Sequence, residues 1–419
     1  MAQTRFTSQL VPLAAEDPLY EVLAACQSDT SKVKIDLGIG AYKDDNGKPW
    51  VLPAVSKAEA ILRQRLDYNH EYLPISGLKS FTEAASELLL GKDHPSIQQK
   101  RLLSIQSVSG TGALYLGALF LATLTPLAKR VANISFPSWS NHSAIFRTAG
   151  WSISEYPYLR PCSQEFDLQG TLAAIEASPP DAVFVLHACA HNPTGVDPTP
   201  DQWKEIAQAL KRKNQLPFFD CAYQGFATGD FDRDAFAIRH FAEQGLEFFV
   251  AQSSAKNFGL YGQRVGCLHY IPSSLLSKKE SWVTLARVKS QLSSLQRSII
   301  SNPPRYGSHI VSLVLNDPEL MKEWKNNVLT MSERIGKVRK TLQSEFENRG
   351  TPGTWSYITK QVGMFIMLDV RADQVLKLRE EYHIYISPNG RVSLGGLNTH
   401  NIDHFVRAAD RVLKEQVEL

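Results

Sequence analysis

From about residue 100 onward the sequence alternates short apolar runs with amphipathic stretches, and few folds accommodate that pattern. The runs LLSIQ (102–106), VANIS (131–135), AVFVL (182–186), LPFF (216–219) and EFFVAQ (247–252) read as strands buried on both faces. Between them, residues 111–124, 139–149, 168–177 and 201–213 read as helices. Such units build an α/β fold, a mostly parallel sheet with helices on both faces. Ligands of these sheets gather beyond the carboxyl ends of the strands. The residues just after each apolar run are therefore the informative ones.

Past residue 272 the pattern changes to long helices. Residues 317–349 keep apolar positions at helical spacing, opened by Asn316-Asp317-Pro318 and ended by Gly350 and Pro352. A second strand-and-helix unit follows, with MFIMLDV (364–370), HIYIS (383–387) and a final helix over 401–416. The expected division is a segment over 1–47 that joins part of a small domain, a large domain over 48–320, and a smaller α/β domain over 321–419.

A chain of 419 residues is long for one hydrophobic core, and 43% apolar with 21% charged residues describes a well-filled one. A formal net charge of +3 argues against nucleic acid or an anionic membrane as partner. Cys26, Cys162, Cys189, Cys221 and Cys267 are scattered and odd in number, as reduced cytoplasmic thiols are. The N-terminus lacks the apolar core of a signal peptide and the repeated arginines of a mitochondrial presequence. The ending KEQVEL matches no peroxisomal or retention signal. No run approaches the roughly 20 apolar residues of a membrane span. A cytoplasmic chain is expected.

The strand mouths carry unusual residues. In SVSGTGA, Ser109, Gly110 and Thr111 open a helix, where free N–H groups suit a phosphate or simply need caps. In HACAHNPTG (187–195), His187, Cys189 and His191 alternate, which admits a metal or packed, hydrogen-bonded side chains. The turn Asn192-Pro193 leaves an amide at the same mouth. In DCAYQGF (220–226), Asp220 is a carboxylate in need of a cation, with Tyr223 close by. In SSAKNFGLYGQRVG (253–266), Lys256 is a snorkelling cation or a desolvated nucleophile, and Arg264 follows. A phosphate cradle, a carboxylate, a phenol, an amide, a lysine and an arginine at one sheet edge match the groups of pyridoxal 5'-phosphate.

These segments, with NHEYLPISG (69–77), SVSGTGAL (107–114) and PSWSNH (137–142), resemble the signature segments of the class I aminotransferases. Among those they are most similar to the eukaryotic aspartate aminotransferases, over about Pro18 to the final helix. The resemblance implies the fold of the type I pyridoxal-phosphate enzymes. It implies that Lys256 is the Schiff-base lysine and proton shuttle, with Asp220 on the ring nitrogen. Tyr223 and Asn192 fall on the phenolic oxygen, and Trp139 on the ring face. Gly110, Thr111, Ser253 and Arg264, supported by Ser109, fall on the phosphate. Tyr72 is implied to reach the phosphate of a second subunit, which makes the protein a homodimer with shared sites.

Arg391 in SPNGRVSLGGL (387–397) falls on the α-carboxylate arginine of the family. Arg297 in RSIISNPP (297–304) falls on the partner-supplied arginine for a substrate side-chain carboxylate. A guanidinium suits both tasks because its fork meets a carboxylate with two parallel hydrogen bonds. Gly40 and Phe365 fall on substrate-lining positions. His142 and His191 fall behind the aspartate, which removes the metal reading of HACAH. The implied reaction is transamination between L-aspartate and 2-oxoglutarate; the alternative is a relative with aromatic or specialised-metabolite preference. Departures from the usual pattern are Asp36, Ile39, Lys43, Gln263 and the run SLGG (393–396).

Overall fold

Seven strands make the central sheet of the computed structural model, which describes residues 6, 10–14, 17–161 and 163–415. Their spatial order is Leu103–Val108, Val265–Ile271, Phe248–Ser253, Leu216–Cys221, Val183–His187, Val131–Phe136 and Ser152–Pro157. All neighbours pair in parallel except Val265–Ile271, which is antiparallel to both strands beside it. The apolar runs read as strands all take their expected places, within a residue or two of the observed ends.

Two strands are absent from the sequence reading, for different reasons. Ser152–Pro157 is the outer edge, and only Tyr156 is buried along it, so its polar residues face water and Pro157 meets no outer neighbour. Val265–Ile271 is buried throughout but carries His269. That histidine is satisfied across the sheet by Ser104 (2.8 Å) and Gln252 (3.0 Å), partners that only the tertiary pairing supplies.

The helices cover both faces. Pro200–Arg212 opens with a capping box, the Thr199 hydroxyl accepting from the Gln202 N–H and the Gln202 side chain accepting from the Thr199 N–H. The long helix spans Pro318–Asn348, with the Asp317 carboxylate accepting from the N–H groups of Glu319 (2.9 Å) and Leu320 (3.0 Å). Its Trp324 is fully buried, stacks on Phe258 at 4.4 Å and donates to the carbonyl of Asn257, the residue after Lys256. The boundary expected between 320 and 321 falls inside the first turn of this helix.

Outside the sheet, Ile35–Asp36 pairs in parallel with Ile384–Tyr385, and Phe365–Met367 pairs antiparallel with Arg391–Ser393. The first of these ladders joins an N-terminal segment of the chain to a C-terminal one. The final helix is Ile402–Lys414; Gln416, where it was expected to end, lies outside the described residues, as does Cys162. Cys26, Cys189, Cys221 and Cys267 are buried free thiols. Among the described residues, no helix is long and apolar enough to cross a membrane.

Candidate active site

The carboxyl ends of the parallel strands converge on one edge, and chain direction decides what arrives there. Ser109, Asn192, Asp220 and Lys256 follow or close parallel strands. Arg264 precedes a strand instead, and reaches the same edge only because Val265–Ile271 runs the opposite way. Arg264 has a left-handed backbone (φ 52°), as does Ser109 (φ 61°), and the Ser109 N–H donates to the Arg264 carbonyl at 3.1 Å. The Ser109 and Ser253 hydroxyls meet at 3.1 Å. The helix Ser109–Leu124 has no side chain capping its N-terminus, so the first N–H groups, including those of Gly110 and Thr111, face outward unclaimed by a cap. The Arg264 guanidinium hydrogen-bonds only the Tyr261 carbonyl, at 3.1 Å, with no carboxylate partner among the described residues. Uncapped amides, a hydroxyl and an unpaired arginine form a built site for an anion such as phosphate.

Asp220 closes the strand Leu216–Cys221 and is buried. Its Oδ2 meets His142 Nε2 at 2.9 Å, whereas Oδ1 has no partner among the described residues. Burial alone would raise this carboxyl; the His142 hydrogen bond, with the charges of His187 and Lys256, holds it below the ordinary aspartate value. It stays ionised at neutral pH and leaves one oxygen open to a cationic N–H donor. Lys256 is partly buried, with Nζ 5.0 Å from the centroid of the Tyr223 ring, and its amine makes no hydrogen bond or ion pair among the described residues. Burial pulls this amine below the ordinary lysine value, Asp220 opposes that, and the charges of Arg264 and Arg391 add to it. Burial pushes the Tyr223 phenol up. Its hydroxyl sits 3.5 Å from the Asn192 amide nitrogen.

Arg391 is buried; its Nη1 donates to Asn192 Oδ1 (3.0 Å), its Nη2 to the Gly38 carbonyl (2.7 Å), and its Nε has no partner among the described residues. The guanidinium lies 4.5 Å from the centroid of the Phe365 ring. Gly40 packs on that ring so closely that a Cβ there would sit 2.6 Å from Phe365 Cζ. Gly40→Ala is expected to displace the ring from Arg391 and to raise KM several-fold in steady-state assays, the usual consequence of overpacking a tight contact. Trp139 is partly buried, edge-on to His142 at 5.1 Å.

Tyr72 and Arg297 stand apart from this cluster. Tyr72 is 85% exposed, and Arg297 is exposed on the helix Lys278–Ile299. Their segments are nevertheless tied together. The Arg297 guanidinium donates to the Ser301 hydroxyl, which donates to Asn302 Oδ1 (2.8 Å), and Asn302 Nδ2 donates to the Leu73 carbonyl (2.7 Å). A cavity of about 400 Å³, lined by Thr111, Tyr115, Ile299 and Ile300 among others, opens beside Arg264.

The histidines differ from the expectation. His142 does sit on Asp220, but His191 does not. It bonds Ser135 (3.0 Å) and Thr194 (2.9 Å) and stacks on Tyr158 at 3.6 Å. The residue next in line is His187, bridged to His142 through the Ser138 hydroxyl at 3.3 and 3.1 Å. The strand ends at His187, so the alternation assumed for 187–191 stops where the turn begins. Two of the departures explain each other, because Asp36 and Lys43 form an ion pair at 3.4 Å. The 393–396 departure packs on the same segment, through Ser393 N–H to the Leu37 carbonyl (2.8 Å) and Lys43 N–H to the Gly395 carbonyl (3.1 Å). Nothing in the structure explains the amide at Gln263.

Residues 32–408 match the family described as aminotransferase class I and II. The chain belongs to that family. This aminotransferase is 45% identical over 407 residues to the aspartate aminotransferase, cytoplasmic, of Gallus gallus, covering 95% of this chain and 96% of the relative. The solved aspartate aminotransferase from Saccharomyces cerevisiae cytoplasm superposes with a TM-score of 0.94 at 42% identity, covering 97% of this aminotransferase and 98% of that chain. An aromatic-amino-acid aminotransferase from Burkholderia pseudomallei, solved covalently bound to pyridoxal phosphate, gives a TM-score of 0.91 at 39% identity, covering 97% and 99%.

Proposed function

We propose that this aminotransferase is a cytoplasmic aspartate aminotransferase, converting L-aspartate and 2-oxoglutarate into oxaloacetate and L-glutamate with pyridoxal 5'-phosphate as cofactor. One observation carries the reading. Lys256 is a partly buried amine with no hydrogen bond or ion pair among the described residues, set between a site for an anion and the forked donors of Arg391. The full-length similarity to cytoplasmic aspartate aminotransferases supports it.

When bound, pyridoxal phosphate supplies a ring that accepts the electron pair of a broken Cα–H bond. Gly110, Thr111, Ser253 and Arg264, braced by Ser109, hold its phosphate. Asp220 Oδ1 holds the proton at the ring nitrogen, His142 keeping the carboxylate aimed and ionised. Tyr223 and Asn192 bind the phenolic oxygen, and Trp139 covers the ring. Lys256 takes the substrate α-proton on Nζ and returns it, a task suited to an amine whose basicity burial has already reduced. Arg391 binds the α-carboxylate, with Gly40 and Phe365 lining the approach. Tyr72 and Arg297 serve the site of a second copy in a homodimer. Their exposure, and the hydrogen-bond chain joining their segments, support presenting both to a neighbour together.

Arg297→Ala tests the dicarboxylate assignment. The loss of one partner of a desolvated charge pair lowers kcat/KM for aspartate by roughly 100- to 1,000-fold, while aromatic amino acids keep their rates. Steady-state kinetics over a panel of amino acids decides it. Aspartate turnover that hardly falls would move the assignment to the aromatic-preferring relatives.

A further inference from the structure

Arg339, on the long helix, is 4% exposed, and among the described residues its guanidinium meets no carboxylate. A buried charge without a counter-ion is costly and has to be justified by what it holds. Here it holds one short segment. Nη1 donates to the carbonyl of Ile358 (2.8 Å), and Nη2 to those of Val362 (3.0 Å), Gly363 (2.9 Å) and Phe365 (2.7 Å). No side chain other than arginine offers a planar fork of donors that could gather carbonyls in this way.

That segment meets the Arg391 environment by three routes. The Phe365 ring lies under the Arg391 guanidinium, and the strand Phe365–Met367 pairs with Arg391–Ser393. The third route runs through the turn that bears Asn192. Val362 N–H donates to the Gly195 carbonyl at 2.7 Å. A Cβ on Gly195 would fall 2.8 Å from the carbonyl oxygens of Val362 and Phe365, and one on Gly363 would fall 2.5 Å from Ala190 Cβ. Asn192 in turn accepts from Arg391 Nη1. Ring, ladder and turn all depend on where the carbonyls of 362–365 are set.

We propose that Arg339 is a positioning residue for substrate binding, clamping residues 358–365 so that Phe365 and the Asn192 turn hold the Arg391 guanidinium in its carboxylate-receiving pose. This rests on the reading of Arg391 as the substrate-carboxylate arginine. The same helix reaches the Lys256 segment through Trp324, fifteen positions earlier in the sequence, which donates to the Asn257 carbonyl and stacks on Phe258. The clamp therefore acts first on the Arg391 environment, and reaches the cofactor only through Asn192 and through the Phe365 ring, 6.0 Å from that of Tyr223.

Arg339→Lys and Arg339→Met are compared with wild type as dimeric holoenzymes, with Arg391→Lys as the control. The readouts are KM and kcat for aspartate, the dissociation constant of the non-reacting dicarboxylate maleate by calorimetry, the cofactor dissociation constant of each apoenzyme, and the thermal midpoint. Both Arg339 variants are expected to raise KM and the maleate constant by about tenfold or more, with the cofactor constant rising by a smaller factor, the size of effect that follows from losing hydrogen bonds to a charged donor. Lysine retains the charge without the fork, so it rescues little. Should Arg339→Met fail to fold, Arg339→Lys alone decides. A lowered thermal midpoint with KM and maleate binding within twofold of wild type would overturn the proposal and leave Arg339 a structural residue. If Arg391→Lys also binds maleate normally, the reading of Arg391 falls instead.

Discussion

Lys256→Ala lowers aspartate turnover by on the order of 10,000-fold, because one change removes both the covalent attachment point of the cofactor and the base that carries the α-proton. The variant still folds, since the Lys256 amine makes no hydrogen bond or ion pair among the described residues and the change removes its methylene stem and its contact with the Tyr223 ring. It still binds pyridoxal phosphate through the anion site, because Ser253, Arg264 and the uncapped helix start are untouched. Two measurements check this. Borohydride treatment followed by mass spectrometry should fix the cofactor to wild type and not to the variant, and added small primary amines should restore part of the turnover. Retention of turnover near wild type would remove Lys256 from the mechanism.

Asp220→Ala reduces kcat by roughly 1,000-fold, the scale on which removing one preorganised electrostatic partner of a transition state is felt. The loss also spreads to Lys256, with a sign that can be worked out. The Asp220 charge raises the Lys256 amine, so deleting it lets the amine titrate at still lower pH. Arg391→Leu removes a charge that lowers the amine, so there Lys256 titrates higher. The pH dependence of acylation at Lys256 in the apoenzymes, read by mass spectrometry, should place Asp220→Ala below wild type and Arg391→Leu above it. The same order for both variants would break the electrostatic account. His142→Ala should reproduce part of the Asp220 effect, because the His142 hydrogen bond is the largest of the influences that lower this buried carboxyl.

Much of the site was legible because its residues stand directly after strongly apolar runs, and a parallel sheet brings such positions to one edge. Asp220 and Asn192 needed no more than that. Arg264 was readable from its place eight residues after Lys256, but the strand that follows it was not, since that strand runs backwards and carries a buried histidine whose partners lie on other strands. His191 was set behind Asp220 by the resemblance, whereas the structure puts His187 there; the period of two read over 187–191 ends with the strand at His187.

What the sequence determined by itself is local. Apolar periodicity set the strands and helices, the Asp317-Pro318 cap set the start of the long helix, and small and charged residues at the strand ends marked the site. The tertiary structure alone decided which distant groups meet. It brought Asp36 to Lys43, joined Arg297 to Leu73 through Ser301 and Asn302, and gave Arg339 its carbonyls from a loop nineteen or more residues away. The physical reason is that hydrophobic patterning is written in neighbouring residues, whereas satisfying a buried polar group depends on whichever partner the packed fold places within hydrogen-bond reach.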